Sequence, residues 1–312
     1  MKENSMTALI SAFARAYHSQ TKAVKIFDDK IARLLFTDDE YRQISKSMTD
    51  GIGFFNPNFS GSDKEALMWI ADNQLCPTVL SRSAFAESSL KTAVLIGARQ
   101  YLILGAGYDT FAYRQPEWGK LLQIFELDRS ATINDKQKRL CCAEIETPDN
   151  VHYIAADLAK DSLSYALEQN KGFEKSRLSF CSMLGLTYYL SENDFSHLLA
   201  QLSSVLSGGS SLVFDYPTVS KAETAAERTK KQEQLAKGAN EEMLACYTYG
   251  EIESILSEHG FLIYEHITPQ EIEERYFMKY NISNRRHRMH AFENVSFCLA
   301  VKKLRFICPQ DP

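Results

Sequence analysis

From residue 100 onward the chain carries seven short apolar runs spaced by amphipathic stretches: QYLILGAG (100–107), LLQIFELD (121–128), VHYIAAD (151–157), RLSFCSML (177–184), SSLVFDY (210–216), FLIYEHI (261–267) and VSFCLAVK (295–302). Continuous apolar runs of this length are strands covered on both faces, and parallel neighbours need crossover segments between them. The pattern predicts an α/β unit over residues 96–303, built as a seven-stranded, mostly parallel sheet with helices on both faces. Ser191 with Asp194, and Thr248 with Glu251, read as capping boxes opening two of those helices, and Gly260 closes the second.

The first 95 residues read differently. Ala8, Leu9, Ala12, Phe13 and Ala16 recur at helical spacing, and a second helical segment is expected from Ile26 to Phe36. GIGFFNPNFSG (51–61) is expected to be a loop, with helix resuming near Asp63 and Pro77 opening a further one. Residues 1–95 are therefore expected to form an N-terminal helical cap on the α/β unit. The polar stretch 217–247 is expected to be a helical insertion and 304–312 a tail.

Composition excludes several classes. With 35 basic and 40 acidic residues the net charge is −5, which disfavours a nucleic-acid partner. No run approaches the length of a membrane span, and Arg15 interrupts the first apolar segment where a signal peptide would need its core. The seven cysteines form no CxxC pair, so no metal site is expected, and free thiols in a reducing cytoplasm are. Cys181 and Cys298 lie within strand runs and read as small buried apolar groups.

Chemistry gathers where strands end. The first run closes on Gly105 and Gly107, which permit a tight turn and close backbone approach to a ligand. The second closes on Glu126 and Asp128, which share strand parity. An acid about 20 residues after such a turn can accept from both hydroxyls of a ribose. The third run closes on Asp157 and Leu158, an acid for an adenine amine with an apolar neighbour. The position of a third glycine holds Thr110. That favours S-adenosylmethionine over a nicotinamide dinucleotide, whose pyrophosphate needs a glycine-rich helix start.

ARQYLILGAGYDTFAYR (98–114), FELDRSATINDKQKRL (125–140) and AADL (155–158), with RAYHS and FDDKIARLL nearer the N-terminus, resemble the leucine carboxyl methyltransferase family. The resemblance is to its bacterial branch of small-molecule O-methyltransferases, of the polyketide-biosynthesis type. It implies a class I methyltransferase-like (Rossmann-like) fold and S-adenosylmethionine as cofactor. It also implies that Arg82 pairs with the methionine carboxylate, that Gly105 and Gly107 approach the methionine portion, that Asp128 with Glu126 holds the ribose, and that Asp157 and Leu158 take the adenine. The family's Glu-Gly-Leu-Leu-x-Tyr-Leu segment is LGLTYYL (184–190) here, so Leu184 stands at the glutamate position while Gly185, Tyr189 and Leu190 match.

Tyr188 and Tyr189 are the candidate catalytic residues beside the expected transfer site. Asp109 is expected to cap the helix after the first turn, and Arg114 to pair with an acid. Arg15 and His18 would face the pocket if the first helix forms a lid. NRRHRMH (284–290) reads as a solvated face, or as a patch in which Arg285, Arg286 or Arg288 draws in an anionic substrate. The functional expectation is methyl transfer from S-adenosylmethionine to a carboxylate or hydroxyl oxygen of a small molecule, with the cap and insertion enclosing it. Two alternatives stand beside it: an NAD-dependent oxidoreductase, and a non-catalytic S-adenosylmethionine-binding protein, which Leu184 keeps open.

Overall fold

The structure, a computed structural model, describes residues 5–218, 223–238, 241–285 and 287–304, with the side chains of 223–226 left aside. The N-terminal region forms α1 (Met6–Thr21), α2 (Lys30–Leu34), α3 (Asp38–Asp50), α4 (Ile52–Phe55), α5 (Asp63–Ile70) and α6 (Cys76–Ile96). Then follow β1 (Gln100–Leu104), β2 (Gln123–Asp128), α7 (Ser130–Cys142), β3 (Val151–Ala155), α8 (Leu163–Glu168), β4 (Ser179–Met183), α9 (Glu192–Val205) and β5 (Ser211–Pro217). The chain continues through α10 (Glu223–Gly238), α11 (Tyr249–Glu258), β6 (Phe261–Ile267), α12 (Pro269–Ile272), α13 (Met278–Ser283) and β7 (Val295–Lys302).

All seven apolar runs become strands of one sheet, in the order β3-β2-β1-β4-β5-β7-β6. The first five strands pair in parallel, and β7 inserts antiparallel between β5 and β6. Strand order reverses between β1 and β4, the place in such sheets where ligands bind beyond the strand ends. Side-chain alternation splits the core in two. Tyr101, Ile103, Ile124, Phe180, Val213 and Phe297 pack on the face that α1 and α6 cover. Leu102, Leu104, Phe125, Leu127, Cys181 and Phe214 pack on the other, against Leu167, Phe195, Leu198 and Ile252 of α8, α9 and α11.

Local signals had mixed outcomes. Thr248 and Glu251 form the expected capping box. Ser191 accepts from the Asp194 amide and donates to the Asp194 carboxylate, so only its own half of the box is made. The second helix is confined to Lys30–Leu34, started by the Asp29 side chain accepting from the Ala32 amide. The expected loop at 51–61 contains the four-residue α4. Pro77 does sit in the first turn of α6, yet α5 runs into α6 through a π-turn at Ala71–Leu75, so no loop separates them.

Between β1 and β2 the chain makes only 3-10 turns, Phe111–Tyr113 and Glu117–Leu121. Pro116 and Gly119 keep that crossover from becoming a helix. Asp109 therefore caps no α-helix; its Oδ1 accepts from the Phe111 amide 2.8 Å away and closes a local turn.

Glu126 and Lys136 form an ion pair at 2.6 Å, each side chain 1% exposed, between β2 and α7. Removing one partner of such a pair strands a charge in the core at a cost of about 3–5 kcal/mol, whereas replacing both with apolar groups is close to neutral. Lys136→Met should lower unfolding free energy by about 3–5 kcal/mol in urea titration. Lys136→Met with Glu126→Leu should restore most of it.

His18 is fully buried in α1, where its Nε2 accepts from the Ile26 amide at 3.0 Å. Burial, with Lys25 and Lys22 nearby, pushes its pKa from 6.5 down to about 3. The folded state keeps His18 neutral while the unfolded state takes up a proton, so stability present above pH 6.5 is lost as pH falls toward 3. Below the unfolded pKa the loss from this group should approach about 1.4 kcal/mol per pH unit. Denaturant titrations down to about pH 5, above the carboxylate range, should show that slope in the wild type and a flatter one in His18→Asn.

Candidate functional site

β1 ends in a turn that only glycine enters without strain: Gly105 has φ +66° and Gly107 φ +48°. The Gly107 amide donates to Asp128 Oδ2 at 2.7 Å, and the Arg129 amide donates to Oδ1 at 2.7 Å. Asp128, at the end of β2, is thus fixed against the glycine turn by two backbone donors. Each carboxylate oxygen keeps acceptor capacity for a further donor. Glu126 has the expected parity but sits one pleat deeper, where Lys136 holds it.

Opposite this turn lies a second group. Arg82 of α6 donates from Nη1 to Asp215 Oδ2 at 3.0 Å. Asp215 is fully buried on β5, and also accepts from the Gly185 amide at 2.6 Å and from the Tyr188 hydroxyl at 3.0 Å. Burial alone would lower the Arg82 pKa, but Asp215 and Tyr188 outweigh it and hold the guanidinium above its usual range. Burial, then the Asp215 charge, keeps the Tyr188 hydroxyl protonated far above its ordinary range, and burial also raises Tyr189. A β-carbon on Gly185 would fall 2.6–2.9 Å from the Arg82 guanidinium. The two groups meet through Leu186, whose side chain lies 3.3 Å from where a Gly105 β-carbon would stand.

A roof comes from both ends of the sequence. A β-carbon on Gly107 would lie 3.1 Å from Ala8 Cβ in the first turn of α1. The Thr7 amide and hydroxyl both donate to the Glu241 carboxylate. The Leu244 amide donates to the Tyr188 carbonyl at 2.8 Å. Behind the turn, Asp29 is fully buried and accepts from Arg15 Nε at 2.8 Å and Thr110 Oγ1 at 2.7 Å. Burial would raise its pKa, yet Arg15 and Arg114 prevail and keep it below the carboxylate range. Arg114 continues the chain with a bidentate pair to Glu87 of α6.

The structure therefore brings Gly105, Gly107, Asp128, Arg82, Tyr188 and Tyr189 to one edge of the sheet. Asp157 stands at the end of β3, half-buried, with its carboxylate accepting from the Ala159 amide at 3.3 Å and pairing with Lys160 at 3.4 Å. Leu158 packs into the core beneath α8 and α9. Arg15 and His18 are engaged elsewhere: Arg15 is spent on Asp29 and the Tyr108 carbonyl, and His18 on Ile26. Arg285 and Arg288 are exposed on a separate open cleft of about 460 Å³ with Glu273 and Glu274, and Arg286 lies outside the described residues. Two contributors escaped the sequence reading. Asp215 follows three apolar residues in SSLVFDY, an acid closing an apolar run as in FELD. Glu241 carried no such signal, because only the fold brings it to Thr7.

These residues fit an adenosyl cofactor with an amino-acid tail. The glycine turn is a cradle that side chains would fill, Asp128 retains acceptor capacity at the strand end, and only one of the five guanidinium N–H donors of Arg82 is committed among the described residues.

Comparison with known proteins agrees. The family profile described as leucine carboxyl methyltransferase matches residues 8–203. A Bacillus subtilis protein named "Putative S-adenosyl-L-methionine-dependent methyltransferase YktD" is 40% identical over 307 residues, 96% of this chain and 99% of its own. A crystal structure of a "putative methyltransferase" from Thermobifida fusca superposes with TM-score 0.55 at 15% identity, covering 96% of both chains. A DUF574 family protein from Streptomyces avermitilis gives 0.53 at 16% identity, over 94% of this chain and 97% of its own. The family profile and the full-length relative make this a methyltransferase, and its fold is the class I α/β architecture. The chain belongs to the leucine carboxyl methyltransferase family.

The Thr7–Glu241 contact is what fastens the first turn of α1 over Gly107. Thr7→Val with Glu241→Gln should speed amide hydrogen exchange in that turn by about tenfold, the loss of roughly 1–1.5 kcal/mol of local stability. Exchange in β1 and β4 should stay unchanged.

Proposed function

We propose that this methyltransferase transfers a methyl group from S-adenosylmethionine to a carboxylate or hydroxyl oxygen of a small molecule. The observation that carries the reading is the pairing of two preformed anchors at one sheet edge, Asp128 against the glycine turn and Arg82 beside Gly185. When bound, the cofactor supplies a methyl group already activated on a sulfonium, which an acceptor oxygen displaces in line. The protein's part is then binding, alignment and exclusion of water.

Gly105 and Gly107 admit the cofactor backbone-close, Asp128 accepts from the ribose hydroxyls, and Arg82 takes the carboxylate. Asp157 serves the adenine amine, with Leu158 as part of the apolar wall. Glu126 does not reach the ribose in this assignment; it fixes α7 beneath Asp128 through Lys136. Tyr188 and Tyr189, both kept protonated, donate hydrogen bonds and do not remove protons. An acceptor that arrives ionised fits such a site best, which favours a carboxylate or an acidic hydroxyl. The roof of α1 and the Glu241–Leu244 segment supports a small enclosed acceptor over a protein terminus. Exposed free thiols at Cys141, Cys142 and Cys246 suit a reducing cytoplasm.

A dinucleotide finds little support. β1 is followed by a 3-10 turn and not by the helix start that a pyrophosphate requires, and Thr110 spends its hydroxyl on Asp29.

Calorimetry should show S-adenosylhomocysteine binding to the wild type and no NADH binding, with Asp128→Ala weaker by at least about tenfold. Labelled S-adenosylmethionine with a cell extract should place label in the small-molecule fraction. Base-labile label identifies an ester and base-stable label an ether. Label confined to protein overturns the acceptor class, and undiminished binding in Asp128→Ala overturns the ribose assignment.

A further inference from the structure

Nothing in the family motifs points to Asp215, yet it is the most heavily engaged side chain at the sheet edge. Its Oδ1 receives the Gly185 amide, its Oδ2 receives both Arg82 Nη1 and the Tyr188 hydroxyl, and its own carbonyl accepts from the Thr187 hydroxyl. The side chain is fully buried, so these donors are not replaceable by water. It is anchored on β5, while its donors come from α6 and from the segment after β4. Arg82, by contrast, is a long side chain with 13% exposure and a single committed donor among the described residues. Without a fixed partner its guanidinium would sample several rotamers, and binding a ligand carboxylate would then cost the entropy of selecting one.

Resting on the cofactor reading above, we propose that Asp215 is a positioning residue for the cofactor's amino-acid tail: it clamps Arg82 Nη1 over Gly185 so that the remaining guanidinium donors are set for a carboxylate. Gly185 belongs to the device, because a β-carbon there would occupy the place where the guanidinium lies. Tyr188 contributes by holding the shared oxygen, which gives it a role in cofactor binding in addition to any contact with the acceptor. The preformed pair also avoids leaving a lone guanidinium in a largely buried site before ligand arrives.

The test separates tail recognition from general damage by comparing two ligands. S-adenosylhomocysteine carries the amino-acid tail; 5′-methylthioadenosine has the same adenosine and thioether without it. In calorimetry, Asp215→Asn should weaken S-adenosylhomocysteine by about tenfold to a hundredfold, the worth of a charge-assisted hydrogen bond. It should leave 5′-methylthioadenosine within about twofold. Arg82→Ala should show the same selectivity, and adding Asp215→Asn to it should bring no further loss, as expected of residues acting as one unit. If Asp215→Asn does not fold, Tyr188→Phe removes one donor and buries no new charge. It should give a smaller loss, again confined to S-adenosylhomocysteine. Equal weakening of both ligands in these variants, or full additivity of Asp215→Asn with Arg82→Ala, overturns the positioning role and leaves the cofactor reading intact. A wild type that binds neither ligand overturns the cofactor reading and this proposal with it.

Discussion

A single buried carboxylate joins the N-terminal helices to the edge of the sheet where the glycine turn lies. Asp29 takes Arg15 from α1, Thr110 from the turn after β1, and the amide of Ala32 that starts α2, with Arg114 at 3.5 Å. Arg114 passes the connection to Glu87 on α6. Removing Asp29 would leave two guanidinium groups facing each other in a dry interior, a far larger cost than any surface ion pair carries. Thr110 and Arg114 are both engaged in this connection. They hold the N-terminal helices to the segment that directly follows Gly105 and Gly107.

With that connection in place, the remaining geometry follows from strand alternation. Residues 124, 126 and 128 of β2 and residues 213 and 215 of β5 all face α6 and α7, so every acid at the site comes from one side of the sheet. Depth along the strand decides each role. Glu126 is inside the sheet and meets Lys136; Asp128 is past its end and meets backbone amides; Asp215 lies at the rim, where α6 delivers Arg82.

The strands were legible because two-sided burial writes a continuous apolar run, a signal no surface helix imitates. The glycine turn and Asp128 were legible because each ends such a run. Parity alone put Glu126 beside Asp128, and parity carries no information on depth, which is why its Lys136 pairing was not foreseen. The missing helix after β1 was written in Pro116 and Gly119 but outweighed by the expectation of a regular crossover. Asp215 closes an apolar run and could have been noticed, but its pairing with Arg82, 133 residues away, and that of Glu241 with Thr7, 234 residues away, have no one-dimensional signal.

That last separation bears on how the molecule is made. Thr7 and the carboxylate that fastens it lie 234 residues apart in the chain. The body of the first helix has nearer partners in Asp29, the Tyr108 carbonyl and the sheet face it covers, so only its first turn depends on the distant Glu241. Contacts of such long range form late, because the loop they close is large. The fastening of the first turn of α1 over Gly107 is thus a late event in folding.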